Sequence, residues 1–399
     1  MATAELPLFG FDPSIVPDID FCQKDSSVIE SDVITNYEKF FTAVTRINKT
    51  LGRADPVRLF LLTNIYQLVT QRSIVDSTGK QNLLKYSKGA NLDNVAAKWG
   101  VRGGRLKPTS AETLLRFTVS AVQPNNEVVI KLGQVAQTAG GIRFKTIEEG
   151  IIPAGLLFVD CEAEAETPGS EANGLVPGQI NYLVEWNEPY LVSVTNLTTS
   201  SGGANKEGDE HLRARTWFAP ESFSVAGPYG AYEWFAGSAN PDIADVSVWS
   251  NAENAGKVFI YPLMANGELP TQEVLDQVYK TCSADDVRPL TDWVFVELPT
   301  VVSYSPMVQY WIKSSDEHFA DDIRKKVDAA YMNYLIWQRS KIGRDINPSK
   351  CDEMIVNAGA KRTDIPEGTS GFKFVKIDEQ SVAREDASSK CTYVGIEIE

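Results

Sequence analysis

The sequence has little of what most catalytic and metal-binding chemistry is built from. Only two histidines occur in 399 residues, His211 and His318, each beside acids (Asp209-Glu210 and Asp316-Glu317). A histidine flanked by carboxylates can serve as a base or a metal ligand, but neither has a second His or Cys at ligand spacing. The five cysteines, Cys22, Cys161, Cys282, Cys351 and Cys391, are never closer than 40 positions. Without a C-x-x-C pair, a zinc ribbon or thioredoxin-type motif is excluded. An odd, scattered set fits reduced thiols buried as small apolar groups, and so assembly in a cytoplasm. There is no G-x-S-x-G elbow and no H-E-x-x-H. Acid pairs such as Asp285-Asp286 and Asp321-Asp322 arise by number alone among 53 acids. The chain does not read as an enzyme, and no catalytic residue, cofactor or metal is expected.

Long apolar runs are also missing. No stretch approaches the ~20 apolar residues of a membrane span. The most apolar one, VRLFLLTNIYQLV at 57–69, is interrupted by Arg58, Thr63, Asn64 and Gln67. The opening MATAELPLFGFDPS lacks the basic start and apolar core of a signal peptide, so no membrane insertion is expected. Positive charge is scarce: the net charge of −15 argues against a nucleic-acid partner. Its distribution is uneven, at −7 over residues 1–38, +9 over 39–105 and −17 over 106–399. The basic residues of 39–105 are spread along helical patterns, which suits contact with acidic protein surface better than nucleic acid.

What is present reads as several domains; the length suits roughly two to four. The first hundred residues look helical. Ser27-Val28-Ile29-Glu30 has a capping-box pattern, Asp55-Pro56 is a cap followed by a first-turn proline, and NLDNVAAKWG is a short third helix. The helix after Asp55 is apolar nearly all round and must be covered on several sides, which makes Phe60, Leu61 and Ile65 candidate interface residues. From about 110 the period changes to two, with Leu115, Phe117, Val119 and Ala121 alternating with polar residues. CEAEAETPGSEANGLVPGQIN reads as an acidic, small-residue loop and NLTTSSGGAN as a linker. A strand-strand-helix-strand group and a second strand-helix group follow. The expected fold class is α+β and multidomain: an N-terminal helical bundle segment (1–105), a central β-rich domain (106–200), and two small C-terminal α/β sandwich domains (201–298 and 299–399). In the last of these, Trp311, Phe319, Tyr334 and Trp337 are candidate interface aromatics.

The stretch SGGANKEGDEHLRART at 201–216 invites a test for phosphate binding. Gly203 and Gly208 have G-x-x-x-x-G spacing, but Asp209 and Glu210 stand where a nucleotide loop needs Lys and Ser/Thr. Two carboxylates would repel the phosphate. Asp209 and Glu210 instead suit the first turn of a helix, with Arg213 and Arg215 further along, the sign order the helix dipole favours. Glu210 and Arg213 are one turn apart and can pair. The glycines then read as a flexible joint ahead of this helix.

IIPAG at 151–155, TPGSEANGLVPGQIN at 167–181, SGGANKEGDEHLRAR at 201–215, PYGAYEWFAGSANPDIADVSVW at 228–249, LPTQEVLDQVY at 269–279 and VRPLTDWVFV at 287–296 follow one another in this order. Together they resemble the baseplate J-like family of contractile phage tails and related injection machines, over roughly 90–365. The family's most recognisable stretch falls on Gly202, Gly203, Glu207, Glu210, Arg213 and Arg215. Segment 366–391 departs from the pattern. The resemblance implies a structural wedge subunit, present in two copies per wedge. Its N-terminal helices would bundle with each other and with smaller wedge proteins, and its C-terminal domains would pair neighbouring wedges into a ring around the hub. Further implied partners are sheath-initiator and hub proteins, with no nucleic acid. The implied location is a virion tail baseplate or equivalent particle, assembled in the bacterial host cytoplasm. The rival readings are a cell-wall hydrolase of the same machine and a receptor-binding or adhesin module. The second usually shows long β-repeats, and no internal repeat is visible here.

Overall fold

A computed structural model describes residues 13–398 except 124–125, 185–189, 225–226 and 367–371. Among the described residues, 13–104 form one compact unit and residues 105 onward a second.

In the first unit, Asp25 accepts a hydrogen bond from Ser27 N and starts α1 (Ser26–Thr45). The cap therefore lies two residues ahead of the Ser27 expected from the capping-box pattern, because an aspartate held in extended backbone is as good an acceptor as serine. Asp55 caps α2 (Pro56–Lys80) as its Asp-Pro sequence suggests. A third helix, α3 (Gly89–Ala96), runs into a 3-10 segment broken at Gly100, where φ is +64. Ile29, Ile34, Leu51 and Ile65 fill the contact between helices, and Arg58 pairs with Glu30 at 2.6 Å. Residues 13–25 run back along α2. There Phe21 N and Lys24 both bond Asp76, and the Phe21 ring lies on Gly79, where a Cβ would come within 2.7 Å of it. Phe40, Val44, Phe60 and Tyr66 remain exposed, Phe60 by 69%.

The second unit begins with strands whose side chains alternate inward and outward. They are β1 (Glu112–Val119), β2 (Val128–Ile130), β3 (Val135–Thr138), β4 (Arg143–Thr146), β5 (Gly150–Ile152), β6 (Phe158–Ala165), β7 (Ile180–Val184) and β8 (Leu191–Asn196). Six form an antiparallel sheet in the order β7-β3-β4-β6-β1-β8, with β2 and β5 paired beside it. Leu115, Phe117, Phe144, Cys161, Ala163 and Ile180 fill its interior. The two ends of the order are stitched by Asn196. Its Oδ1 accepts from Gly178 N and Ile180 N, and its amide donates to the carbonyls of Leu175, Val176 and Thr198. This nearly closes the sheet into a barrel. The expected acidic loop from Cys161 onward is corrected here: Cys161, Ala163 and Ala165 point inward from β6 while Glu162 and Glu164 point outward.

Next come α4 (Asp209–Phe218), α5 (Tyr229–Gly237), β9 (Ile243–Trp249), β10 (Lys257–Met264), α6 (Gln272–Cys282) and β11 (Trp293–Val296). β10 lies between antiparallel β9 and parallel β11. Val274, Val278 and Cys282, one turn apart on α6, bury against Val246, Val248 and Ile260.

The C-terminal part has β12 (Thr300–Tyr304) and β13 (Met307–Lys313), interrupted at Ser305-Pro306, then α7 (Ala320–Arg339) and α8 (Pro348–Asn357), which Asn347 caps. The strands β14 (Arg362–Asp364), β15 (Ser381–Glu385) and β16 (Lys390–Glu397) complete it. β15 runs parallel to β12 and β16 parallel to β13, with β14 antiparallel on the other side of β13. β15 lies in the segment that departs from the family pattern, yet Val382 and Ala383 are fully buried. Among the described residues no helix is long and apolar enough to cross a membrane.

Candidate functional site

The motif region is organised around one glutamate. Glu207 precedes α4 and is 2% exposed. Its carboxylate accepts two hydrogen bonds from Arg215, both at 2.8 Å, one from Leu106 N at 2.8 Å, and one from His211 Nδ1. Its backbone carbonyl accepts from Arg105, whose other guanidinium nitrogen reaches Asp209 at 2.9 Å. Burial works against a charge on Glu207, but the bonds from Arg215 and His211 outweigh it and hold the carboxyl at about 2. His211 also contacts the Ile243 carbonyl through Nε2, so both ring nitrogens face acceptors. Trp234 donates to the Arg215 carbonyl, which ties α5 to the same cluster. Glu207, His211 and Arg215 thus form a clamp that fastens the start of α4 to the segment leading into β1 and to β9.

Glu210 and Arg213 pair as the helical spacing suggests, with Arg213 3% exposed. Asp209 and Glu210 do occupy the first turn of α4.

The two glycines have separate stereochemical reasons. Gly202 has φ +84, a conformation that L side chains rarely adopt. A Cβ on Gly203 would lie 2.4 Å from the Gly169 carbonyl oxygen and 3.0 Å from Ala111 N. Gly203 exchanges two bonds with the Asn173 side chain, Thr109 Oγ1 donates to the Gly202 carbonyl, and Gln277 Nε2 donates to it from α6. Ser201 bonds Glu273. The segment read as a flexible joint is therefore bonded along its length in this conformation, and bending it would require breaking these contacts.

A second buried acid lies nearby. Asp245, on β9, accepts from Ile342 N at 2.8 Å, joining the central sheet to the turn after α7. Burial pushes its carboxyl up to about 6, against the pull of the Ile342 N–H, Lys341 and Arg344. Beside it is a cavity of about 130 Å³ lined by Arg215, Trp234, Glu233 and Lys341, among others.

The candidate interface residues are placed differently from one another. Phe60 is exposed, Leu61 half-buried and Ile65 buried. Tyr334 is fully buried in the C-terminal core, and Trp337 packs beside it under Arg344. Trp311 is covered by the Arg362 guanidinium at 3.6 Å, while Phe319 is 65% exposed. His318 lies in the 3-10 turn before α7. Among the described residues no group of three or more His, Cys, Asp or Glu is placed to hold a metal ion.

Residues 114–203 match the family model described as the baseplate J-like protein barrel domain, and residues 224–297 match the baseplate J-like central domain. These two stretches are similar, in this order, to two domains of the baseplate J-like family. The first match covers the near-barrel and ends at Gly203; the second covers the three-stranded sheet and its helices. The clamp falls between the two matched stretches. Over 159 residues the chain is 28% identical to baseplate protein J of Escherichia phage P2, a match covering 40% of this chain and 51% of that protein. The chain thus spans about half the length of that relative. A cryo-EM structure of the anti-feeding prophage baseplate, six-fold symmetrised, aligns over 89% of this chain and 90% of that one, at 11% identity and a TM-score of 0.41.

The four-residue steps Glu207, His211, Arg215 were visible in the sequence; His211 and Arg215 lie one turn apart on α4, and Glu207 precedes the helix on the same side. The adjacent Asp209-Glu210 pair drew the reading away from them. Asn196 reads in the sequence only as the start of the linker NLTTSSGGAN. It is 1% exposed, and both ends of its amide are engaged.

Proposed function

We propose that this chain is a structural wedge subunit of a contractile-tail or injection-machine baseplate, located in the particle's baseplate and assembled in the host cytoplasm. The observation that carries this reading is the pair of baseplate J-like domain matches, in order, over residues 114–203 and 224–297. The helical unit supplies the surface such a role needs: Phe40, Val44, Phe60 and Tyr66 present apolar faces on α1 and α2 that suit bundling with a second copy and with smaller wedge proteins. Through these helices and the C-terminal domain the chain would join a ring around the hub and connect it to sheath-initiator proteins. No catalytic role is assigned to it.

The test is electron microscopy of particles assembled with a tagged chain, alongside particles from a host lacking it. The label should sit in a ring at the distal end of the tail, and the deletion should leave tails without a baseplate. Label along fibres, or complete particles without the chain, would refute the proposal.

A further inference from the structure

The three-stranded sheet ends on β11. Trp293 N donates to the Gly256 carbonyl at 2.7 Å and Glu297 N to the Ile260 carbonyl at 3.0 Å, so these residues turn their backbone groups toward β10. In a parallel ladder alternate residues face opposite edges. Val294 and Val296 therefore direct N–H and C=O away from β10, and among the described residues no strand pairs with that edge. Exposed apolar side chains bracket it: Leu290 is 91% exposed, Trp293 70% and Leu298 48%. Val294 is 8% exposed and Val296 half-buried, so the unpaired edge is short and flanked by these exposed side chains; such an edge is a template for another strand.

The local charge selects the occupant. Residues 285–297 contain Asp285, Asp286, Asp292 and Glu297 against a single base, Arg288. Arg288 is already engaged with Asp285 and with the Ser283 and Asp292 carbonyls. Pairing with a second copy would bring two acidic edges together, whereas a basic segment would be attracted to this one. We infer that β11 is a docking edge for an extended, basic, β-branched segment of another protein, which adds a fourth strand through Val294 and Val296 and rests apolar side chains against Trp293. This surface is separate from the helical faces of the proposed wedge role.

The test uses the full chain and two synthetic peptides, Lys-Val-Thr-Val-Thr-Val-Lys and the same peptide with Glu at both ends, read by hydrogen exchange over residues 290–298. The lysine peptide should slow exchange there at least tenfold, and the glutamate peptide should not. Val296→Pro removes an N–H that the sheet itself does not use and should weaken the lysine peptide at least tenfold. Glu297→Lys, a surface change that leaves the backbone intact, should weaken the lysine peptide and strengthen the glutamate one. No protection at 290–298 with millimolar lysine peptide would overturn the inference. So would equal binding of both peptides, or protection of this edge by self-association without peptide.

Discussion

Glu207→Gln keeps the shape of the buried clamp and removes its charge. Arg215, 3% exposed, would then lose its counter-ion, and His211, 5% exposed, its carboxylate partner. Breaking a buried pair by removing one partner costs about 3–5 kcal/mol. A second route gives a similar size: the carboxyl is held at about 2 against its ordinary 4.5, and each pH unit corresponds to about 1.4 kcal/mol, so the clamp favours the folded state by roughly 3–4 kcal/mol. The folded value is depressed, so this contribution is present above pH 4.5 and is lost as pH falls toward 2. Urea denaturation at pH 7, followed by tryptophan fluorescence, should show the variant destabilised by that amount. The gap between wild type and variant should shrink at pH 3. Adding Arg215→Met should recover part of the loss, because the cation is then removed as well. A cost below about 1 kcal/mol at pH 7, or a double variant whose losses simply add, would refute the clamp.

Gly203→Ala forces a methyl against the Gly169 carbonyl and should cost about 1–3 kcal/mol, while Gly208→Ala, with nothing within 4 Å, should change stability by under about 0.5 kcal/mol in the same assay. Asp245 has a raised folded value, so its contribution is full below 3.8 and is lost as pH rises through about 6. Asp245→Asn should therefore unfold at higher urea than wild type at pH 7 but not at pH 4; equal midpoints at both would contradict this. Removing residues 1–75, or changing Phe60 to Lys, should reduce aggregation of the isolated chain in light scattering, and unchanged scattering would argue against an unpartnered apolar face. The Cys161, Cys282 and Cys351 thiols are buried, and burial pushes the first two up to about 11 and about 12. They should react with a thiol reagent only after denaturation; fast reaction in the native chain would contradict the described packing.

Elements that carry their own punctuation were legible in the sequence. Asp55-Pro56 and Asn347-Pro348 mark the starts of α2 and α8 by local chemistry that no tertiary contact has to supply. The end of β6 was not legible, because its inward residues are Cys161, Ala163 and Ala165. Such small side chains give little hydrophobic contrast with the glutamates between them. β15 was hidden for a different reason. Its sequence, SVARE, is mostly polar at the ends, and it becomes a strand by pairing with β12, 81 positions away at Thr300↔Ser381. Of the clamp residues, Glu207 and Arg215 stand in the family pattern, whereas His211 reads in the sequence only as a histidine beside acids. Their spacing was in plain view, but burial decides whether Glu207 is a surface acid or the centre of a charge cluster, and burial here comes from residues a hundred positions away, at Arg105 and Leu106.

Asn196 stands at the last residue of β8, and the chain reaches the glycine pair only six residues later. The amide that seals the barrel is therefore also the point from which the route to α4 is laid out. The same short segment carries both the amide that joins the two ends of the barrel sheet and the glycines that lead to the clamp. A substitution at Asn196 would loosen the anchor of the segment that leads into the next domain, a neighbour it does not itself contact.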